Sequence, residues 1–313
     1  MKNKGIIVHI AGVIAMIIWG LSFIWSSQTY KSLNPTATIF LRLVIATAFF
    51  SAILFSFRLN EKIRREHLKL FAIAALFEPF LYFIFEGYGL IYTSPIISSA
   101  IIAMIPLVTP IAAAIFLKER LSAMNIVGLI VSFTGVIVML LNKDMEFSAS
   151  PLGIMFLFLT VLVAVGYSIA LIKLTHLYKP MTVTWMQNII GMIYFIPLVF
   201  IMEKFMPSDF GNVRAYIVPL VCLGIFCSAI AYALWAYAYS KLGASKANVY
   251  TNLIPVFTAI FSYIILIFNR DNMDISDIEA YELNVQKIAG IALVVGGLFL
   301  SQKKSRKDDN KQD

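Results

Sequence analysis

Residues Leu76–Leu121 read LFEPFLYFIFEGYGLIYTSPIISSAIIAMIPLVTPIAAAIFLKERL. Two long apolar segments meet at a short turn, Tyr92-Thr93-Ser94-Pro95. Each is about 20 residues long, enough at ~1.5 Å rise per residue to cross a ~30 Å hydrocarbon layer. Glu78 and Glu86 lie inside the first segment, and Pro106 and Pro110 break the second. Carboxylates are too costly to leave facing lipid, and a broken helix frees carbonyls where a ligand can use them. The stretch therefore predicts a ligand site inside a membrane-embedded bundle.

The rest of the chain agrees. Of 313 residues, 60% are hydrophobic and 13% charged, with a mean hydropathy of +0.85. Soluble domains are nearer half apolar and a quarter charged. A soluble chain this apolar would expose large greasy patches. Cys222 and Cys227 share one apolar segment, so they predict small buried hydrophobes rather than a disulfide framework. The first apolar run is longer than a signal-peptide core and lacks a small-residue cleavage site, so it is expected to stay as a helix.

Apolar runs occur at roughly 5–27, 36–57, 68–91, 95–117, 123–141, 151–174, 181–202, 215–240, 246–268 and 284–301, ten in all. In lipid each must be helical, because unpaired backbone groups have no water to turn to. The fold class is thus an all-α integral membrane protein with ten transmembrane helices. Eighteen of the 25 Lys and Arg fall in one alternate set of connections and the tail, six fall in the other, and Arg42 lies within a segment. The bias predicts a multi-pass protein of the cytoplasmic membrane with both termini inside. The net charge of +8 follows from those loops and does not point to nucleic acid. The tail 302–313 reads as polar and disordered, and the acidic connection 269–283, whose spacing fits no calcium loop, as solvated.

A duplication organises the ten runs. Tyr88–Pro106 lies over Tyr237–Pro255 at an offset of 149; Gly128 and Gly135 match Gly290 and Gly297 at 162; Gly20 and Ser22 match Gly166 and Ser168. The predicted division is 1–145, 146–301 and the tail 302–313. Five spans per half is odd, so the second copy enters the membrane upside down, giving two inverted five-helix repeats.

The run Glu86-Gly87-Tyr88-Gly89-Leu90-Ile91-Tyr92-Thr93-Ser94, then Pro106, Lys118-Glu119-Arg120-Leu121, Gly128 and Gly135 resembles the EamA domain of the drug/metabolite transporter superfamily. Trp19-Gly20 and Arg42 are similar to that family too, and the resemblance covers nearly the whole chain as two copies. It implies a ten-helix carrier of small organic solutes, often amino acids and metabolites, often outward. The second copy departs from the pattern where the acidic connection replaces the Glu-containing turn, with Glu282 only roughly in place.

The candidate site residues are the polar and aromatic groups that lipid would not tolerate. Glu78, Tyr82 and Glu86 are spaced i, i+4, i+8 and predict one stripe on the third span, where a carboxyl carries a proton, pairs with a cationic substrate, or serves structure. Trp235 is the counterpart of Glu86, flanked by Tyr232 and Tyr239; these suit an organic cation or pack as interfacial aromatics. Asn248 and Asn252, one turn apart before Pro255, can bond a substrate or a neighbouring helix, and Ser99 with Ser98 is their counterpart. Trp19 and Ser22 share a face of the first span, with packing as the alternative. Arg42 snorkels, neutralises an acid or binds a carboxylate, the structural roles being favoured, and Gln187 takes its place in the second half.

These readings predict a secondary active transporter, an exporter of amino acids, amines or other small metabolites by alternating access. Multidrug efflux of cationic compounds is the alternative. A channel would show rings of like polar groups. An intramembrane enzyme is disfavoured, since His9, His67 and His176 are the only histidines and no HExxH or GxSxG occurs. No nucleotide loop or metal-ligand set is found, so no cofactor and no metal are expected; the partners are a small-molecule solute and the bilayer, the chain acting as monomer or homodimer.

Overall fold

Prolines and caps start the helices where the apolar runs begin. Asn34 accepts a hydrogen bond from Ala37 N with Pro35 next in line, and Ser94 does the same for Ile97 N ahead of Pro95. Pro151 and Pro180 open two more. At a first helical position the missing N–H costs nothing and the fixed φ is already helical. In a computed structural model, which describes residues 2–59, 61–109, 111, 123–141, 149–243 and 247–301, the chain is a helical bundle.

We number its spans α1 (Lys2–Thr29), α2 (Pro35–Ser56), α3 (Arg65–Ile91), α4 (Pro95–Thr109), α5 (Ala123–Leu140), α6 (Pro151–Leu177), α7 (Pro180–Phe205), α8 (Val213–Leu242), α9 (Tyr250–Asn269) and α10 (Val285–Ser301). Among the described residues nine helical stretches are long and apolar enough to cross a membrane, the last counted from Ile275, and α4 is a shorter apolar helix. Nine of the ten expected spans are therefore found, with ends shifted by a few residues, and the expected span 95–117 is described as the helix Pro95–Thr109, its second half lying largely outside the described residues. Pro110, the run Lys118-Glu119-Arg120-Leu121 and the tail 302–313 lie outside the described residues.

Two helices widen at matching places. In α3, residues Leu76–Leu81 form π-type turns, and in α8, residues Leu223–Ala231 do; the offset of 149 lays Glu78 on Cys227, inside both. In α3 the widening has a cause in sequence. Pro79 lacks an N–H and disfavours helical geometry for the residue before it. Glu78 accordingly sits at φ −146°, ψ 120°, extended in the middle of a helix. The expectation of one continuous Glu78-Tyr82-Glu86 stripe is corrected here: the break separates Glu78 from the regular helix Tyr82–Ile91. The second pair is α4, which turns at Ala103–Met104, and α9, which begins in the tight 3-10 segment Val249–Leu253.

The packing of α5 against α10 fixes the relation of the halves. A Cβ on Gly128 would lie 2.4 Å from the Gly297 carbonyl oxygen, and one on Gly135 would lie 2.7 Å from that of Gly290. Low numbers meet high numbers, so the helices run antiparallel. Ser132 donates to the Val294 carbonyl at 2.9 Å between these contacts, and 132 and 294 are themselves related by the repeat offset of 162. Equivalent helices crossing antiparallel about equivalent residues are what an inverted repeat requires.

The connection 269–283, expected to be merely solvated, contains a short helix, Ile275–Tyr281. Its Asp277 pairs with Lys31, its Tyr281 is buried, and Lys287 Nζ donates to the carbonyls of Glu279 and Glu282 at 2.7 and 2.8 Å. A lysine at a helix C-terminus satisfies carbonyls that would otherwise lack donors.

Candidate functional site

Inside the bundle is a narrow, partly open cavity of about 50 Å³. Its walls come from α1 (Trp19, Ser22, Phe23), α2 (Arg42), α3 (Glu78, Tyr82, Phe83, Glu86), α4 (Ile102, Ile105), α6 (Ala164, Tyr167, Ser168), α8 (Tyr232, Trp235, Tyr239), and the start of α9 with Asn248, Thr251 and Ile254. Both halves of the chain contribute.

The charged groups are two carboxyls and one guanidinium. Glu78 is buried and accepts a hydrogen bond from the Tyr232 hydroxyl across the cavity. Glu86 stands one turn after Tyr82 on the same regular helix, and both line the cavity. Arg42, only 2% exposed, donates from Nε to Ser228 Oγ at 2.7 Å, and its Cζ lies 4.3 Å from the centroid of the Phe83 ring. That stacking replaces part of the hydration a buried guanidinium gives up. The guanidinium and both carboxyls line the same cavity.

Aromatic rings close the remaining walls. Trp19 meets Tyr232 and Trp235 edge-on, with centroids 5.0 and 5.5 Å apart; Trp235 is 4.9 Å from Tyr239. A chain of hydroxyls and amides holds the rings in place. Ser168 and Tyr239 share a hydrogen bond of 3.0 Å, and Tyr239 donates to Asn248 Oδ1. Tyr167 donates to Gln187 Oε1, and Gln187 Nε2 to the Glu78 carbonyl, both at 3.3 Å. The Asn248 amide nitrogen, buried, has no hydrogen-bond partner among the described residues and belongs to a residue on the cavity wall.

Nine of the sequence candidates thus come together: Trp19, Ser22, Glu78, Tyr82, Glu86, Tyr232, Trp235, Tyr239 and Asn248. Two do not line this cavity. Ser99 is buried with its hydroxyl on the Ile96 carbonyl, at 2.8 Å. Asn252 is buried too, one turn beyond Asn248, with both ends of its amide unpartnered among the described residues. Ser22 lines the wall while its hydroxyl bonds the Trp19 carbonyl at 2.7 Å.

The family model for EamA-like transporters matches this chain twice, over residues 6–141 and 151–275. The chain belongs to the EamA-like transporter family. A protein of Archaeoglobus fulgidus described as an uncharacterized transporter is 29% identical over 295 residues, covering 93% of this chain and 97% of its own. The Bacillus subtilis protein YcxC, also described as an uncharacterized transporter, is 27% identical over 278 residues, covering 85% and 87%. A solved crystal structure with 18% identity has a TM-score of 0.64 and covers 94% of this chain and 97% of its own; it speaks to the fold. As an EamA-family transporter the chain is a multi-pass membrane protein, and its family points away from an enzyme.

The cavity of this family member also has walls on α2 and α6, which hold none of the residues that the sequence singles out as its main site candidates. Arg42, for which sequence favours a structural role, lines the cavity. Ser168 carried a usable signal, because the repeat matches it to Ser22, and both line the wall. Tyr167, next to Ser168, had no signal of its own among the many aromatic residues.

Proposed function

We propose that this chain is a secondary active transporter that exports small organic solutes bearing a positive charge, amines or amino acids, by alternating access. One observation carries the reading: Glu78 and Glu86 line one cavity with Arg42, within walls of Trp, Tyr and Phe. Two carboxyls and one guanidinium leave an excess of negative charge when both acids are ionised. An ammonium group or a proton is the natural complement, and aromatic faces favour a cation further. An α-amino acid would place its ammonium against a carboxyl and its carboxylate against Arg42. In this reading residues 1–145 and 146–301 are two repeats that rock about the cavity, and the tail 302–313 and both termini are cytoplasmic, in the cell membrane.

The paired helix breaks suit the motion, since π-type turns and a 3-10 entry leave carbonyls and flexible joints near the site. The test is counterflow in proteoliposomes with amines, amino acids and bulky cationic dyes as separate arms. The expected result is saturable exchange of an amine or amino acid, at least tenfold slower in Glu86→Gln, given that a lost charge-assisted contact costs about 1.5–3 kcal/mol. Normal exchange by both Glu86→Gln and Glu78→Gln at every pH would remove the carboxyls from the mechanism. Exchange of the dyes alone would favour the multidrug alternative.

A further inference from the structure

A second feature lies on the outside of the bundle, away from the cavity. Between the end of α2, the start of α7 and the middle of α8 is an open apolar groove with about 1340 Å³ of atom-free space. Phe50, Leu54, Ile230 and Leu234 are among its walls. On α8 the groove residues and the cavity residues Tyr232 and Trp235 occupy opposite faces at helical spacing. The groove is therefore separated from the transport cavity by one helix.

Its polar features sit at one end and in order of depth. Lys179, on the groove lining, is the residue from which α7 starts. Its backbone N–H is already given to Glu61 Oε2 at 2.8 Å, and its ammonium forms no ion pair among the described residues. Pro180 supplies no N–H, but the amides after it point outward from the helix, whose N-terminus carries partial positive charge. Thr182 also lines the groove, three residues and ~4.5 Å further into the bilayer. It is 1% exposed, and its hydroxyl has no hydrogen-bond partner among the described residues. Arg58, beside the groove residue Leu59, adds a second cation at the same end.

From these placements we propose that the groove is a binding site for one anionic phospholipid of the leaflet on the terminus-bearing side. The acyl chain fills the apolar walls, the phosphate meets Lys179 and the start of α7, and an ester carbonyl accepts from Thr182. The order phosphate, ester, hydrocarbon along a phospholipid matches the order Lys179, Thr182, apolar wall along the groove. An uncharged guest would leave the ammonium unused; a second copy of the chain would have to supply an acidic group and an acceptor at the same two depths.

The test uses the purified full-length protein and native mass spectrometry after delipidation, with phosphatidylglycerol and phosphatidylcholine of identical chains added back. The expected result is one retained phosphatidylglycerol per chain, preferred over phosphatidylcholine. Lys179→Ala lowers that preference about fivefold, as one basic residue at an anionic surface is worth about that factor. Ile230→Trp and Leu234→Trp, which fill the groove from two positions, each lower retention of both lipids while circular dichroism and counterflow show a folded protein. Equal retention of the two lipids by the wild type overturns the headgroup assignment. Unchanged retention in a folded tryptophan variant overturns the location, as does a dimer that only those variants dissociate.

Discussion

Arg42 has three kinds of neighbour, and each constrains it differently. Ser228 fixes one nitrogen, the Phe83 ring covers one face, and the carboxyls of Glu78 and Glu86 line the same cavity. Arg42→Lys keeps the charge but loses the planar fork and the stacking, so it should cost folding stability on the order of 1–2 kcal/mol. Arg42→Ala leaves the acids without their cation and should cost more, on the order of 3 kcal/mol. Thermal unfolding in detergent, ranked wild type, Lys, Ala, checks this; Ala unfolding like wild type would mean the guanidinium is not holding the site. Tyr232→Phe removes the hydroxyl on Glu78 and leaves the ring against Trp19. It should change the pH profile of counterflow with little loss of stability, whereas a ring that only packs would leave the profile alone. The carboxyls were readable in sequence because a glutamate inside an apolar run has few places to go. Arg42 was harder, since a long cation near a helix end can always snorkel, and only the packing around it shows that it does not.

Among the helices, the crossing of α5 and α10 depends on the absence of side chains. At Gly135 a methyl group would sit 2.7 Å from a backbone oxygen of the facing helix, and backbone cannot give way as a flexible side chain can. Gly135→Val should force the pair apart and lower stability by about 1–3 kcal/mol, the usual cost of overpacking. Gly296→Val is the control, because nothing among the described residues lies within 4 Å of a Cβ there. The prediction is a lower unfolding temperature for the first variant alone; equal effects would show that loss of glycine flexibility, not contact, is responsible. Helix number and approximate ends were legible because hydrocarbon thickness sets run length. The widening of α3 was legible in Pro79 but hidden by the regular i, i+4, i+8 spacing of Glu78, Tyr82 and Glu86. Its counterpart in α8 has no proline at the matching place, Ser228, and only the repeat points to it. The short helix Ile275–Tyr281 was read as solvated because charge density hides the buried Tyr281 and the buried contacts of Lys287.

For the molecule as a whole, two independent signs bear on orientation. The duplication predicts five spans per copy, and the antiparallel α5–α10 contact is the one that an inversion of those copies would give. Inversion alone does not say which end faces the cytoplasm, because turning the whole bundle over preserves every contact. The distribution of Lys and Arg breaks that tie, with eighteen on the terminus-bearing side against six opposite. Short basic connections resist translocation, so that side should be cytoplasmic. Single cysteines in a Cys222→Ser, Cys227→Ser background test it: Lys62→Cys lies in an exposed connection at the terminus-bearing end, and Asp271→Cys in an exposed connection at the other. A membrane-impermeant maleimide on intact cells should label Asp271→Cys and leave Lys62→Cys until the cells are opened. The opposite pattern would invert the membrane orientation and, with it, the leaflet of the lipid groove, while leaving the fold and the cavity as they are. Labelling of both sites in intact cells would be more damaging, because two connections separated by an odd number of spans cannot share one side of a bilayer.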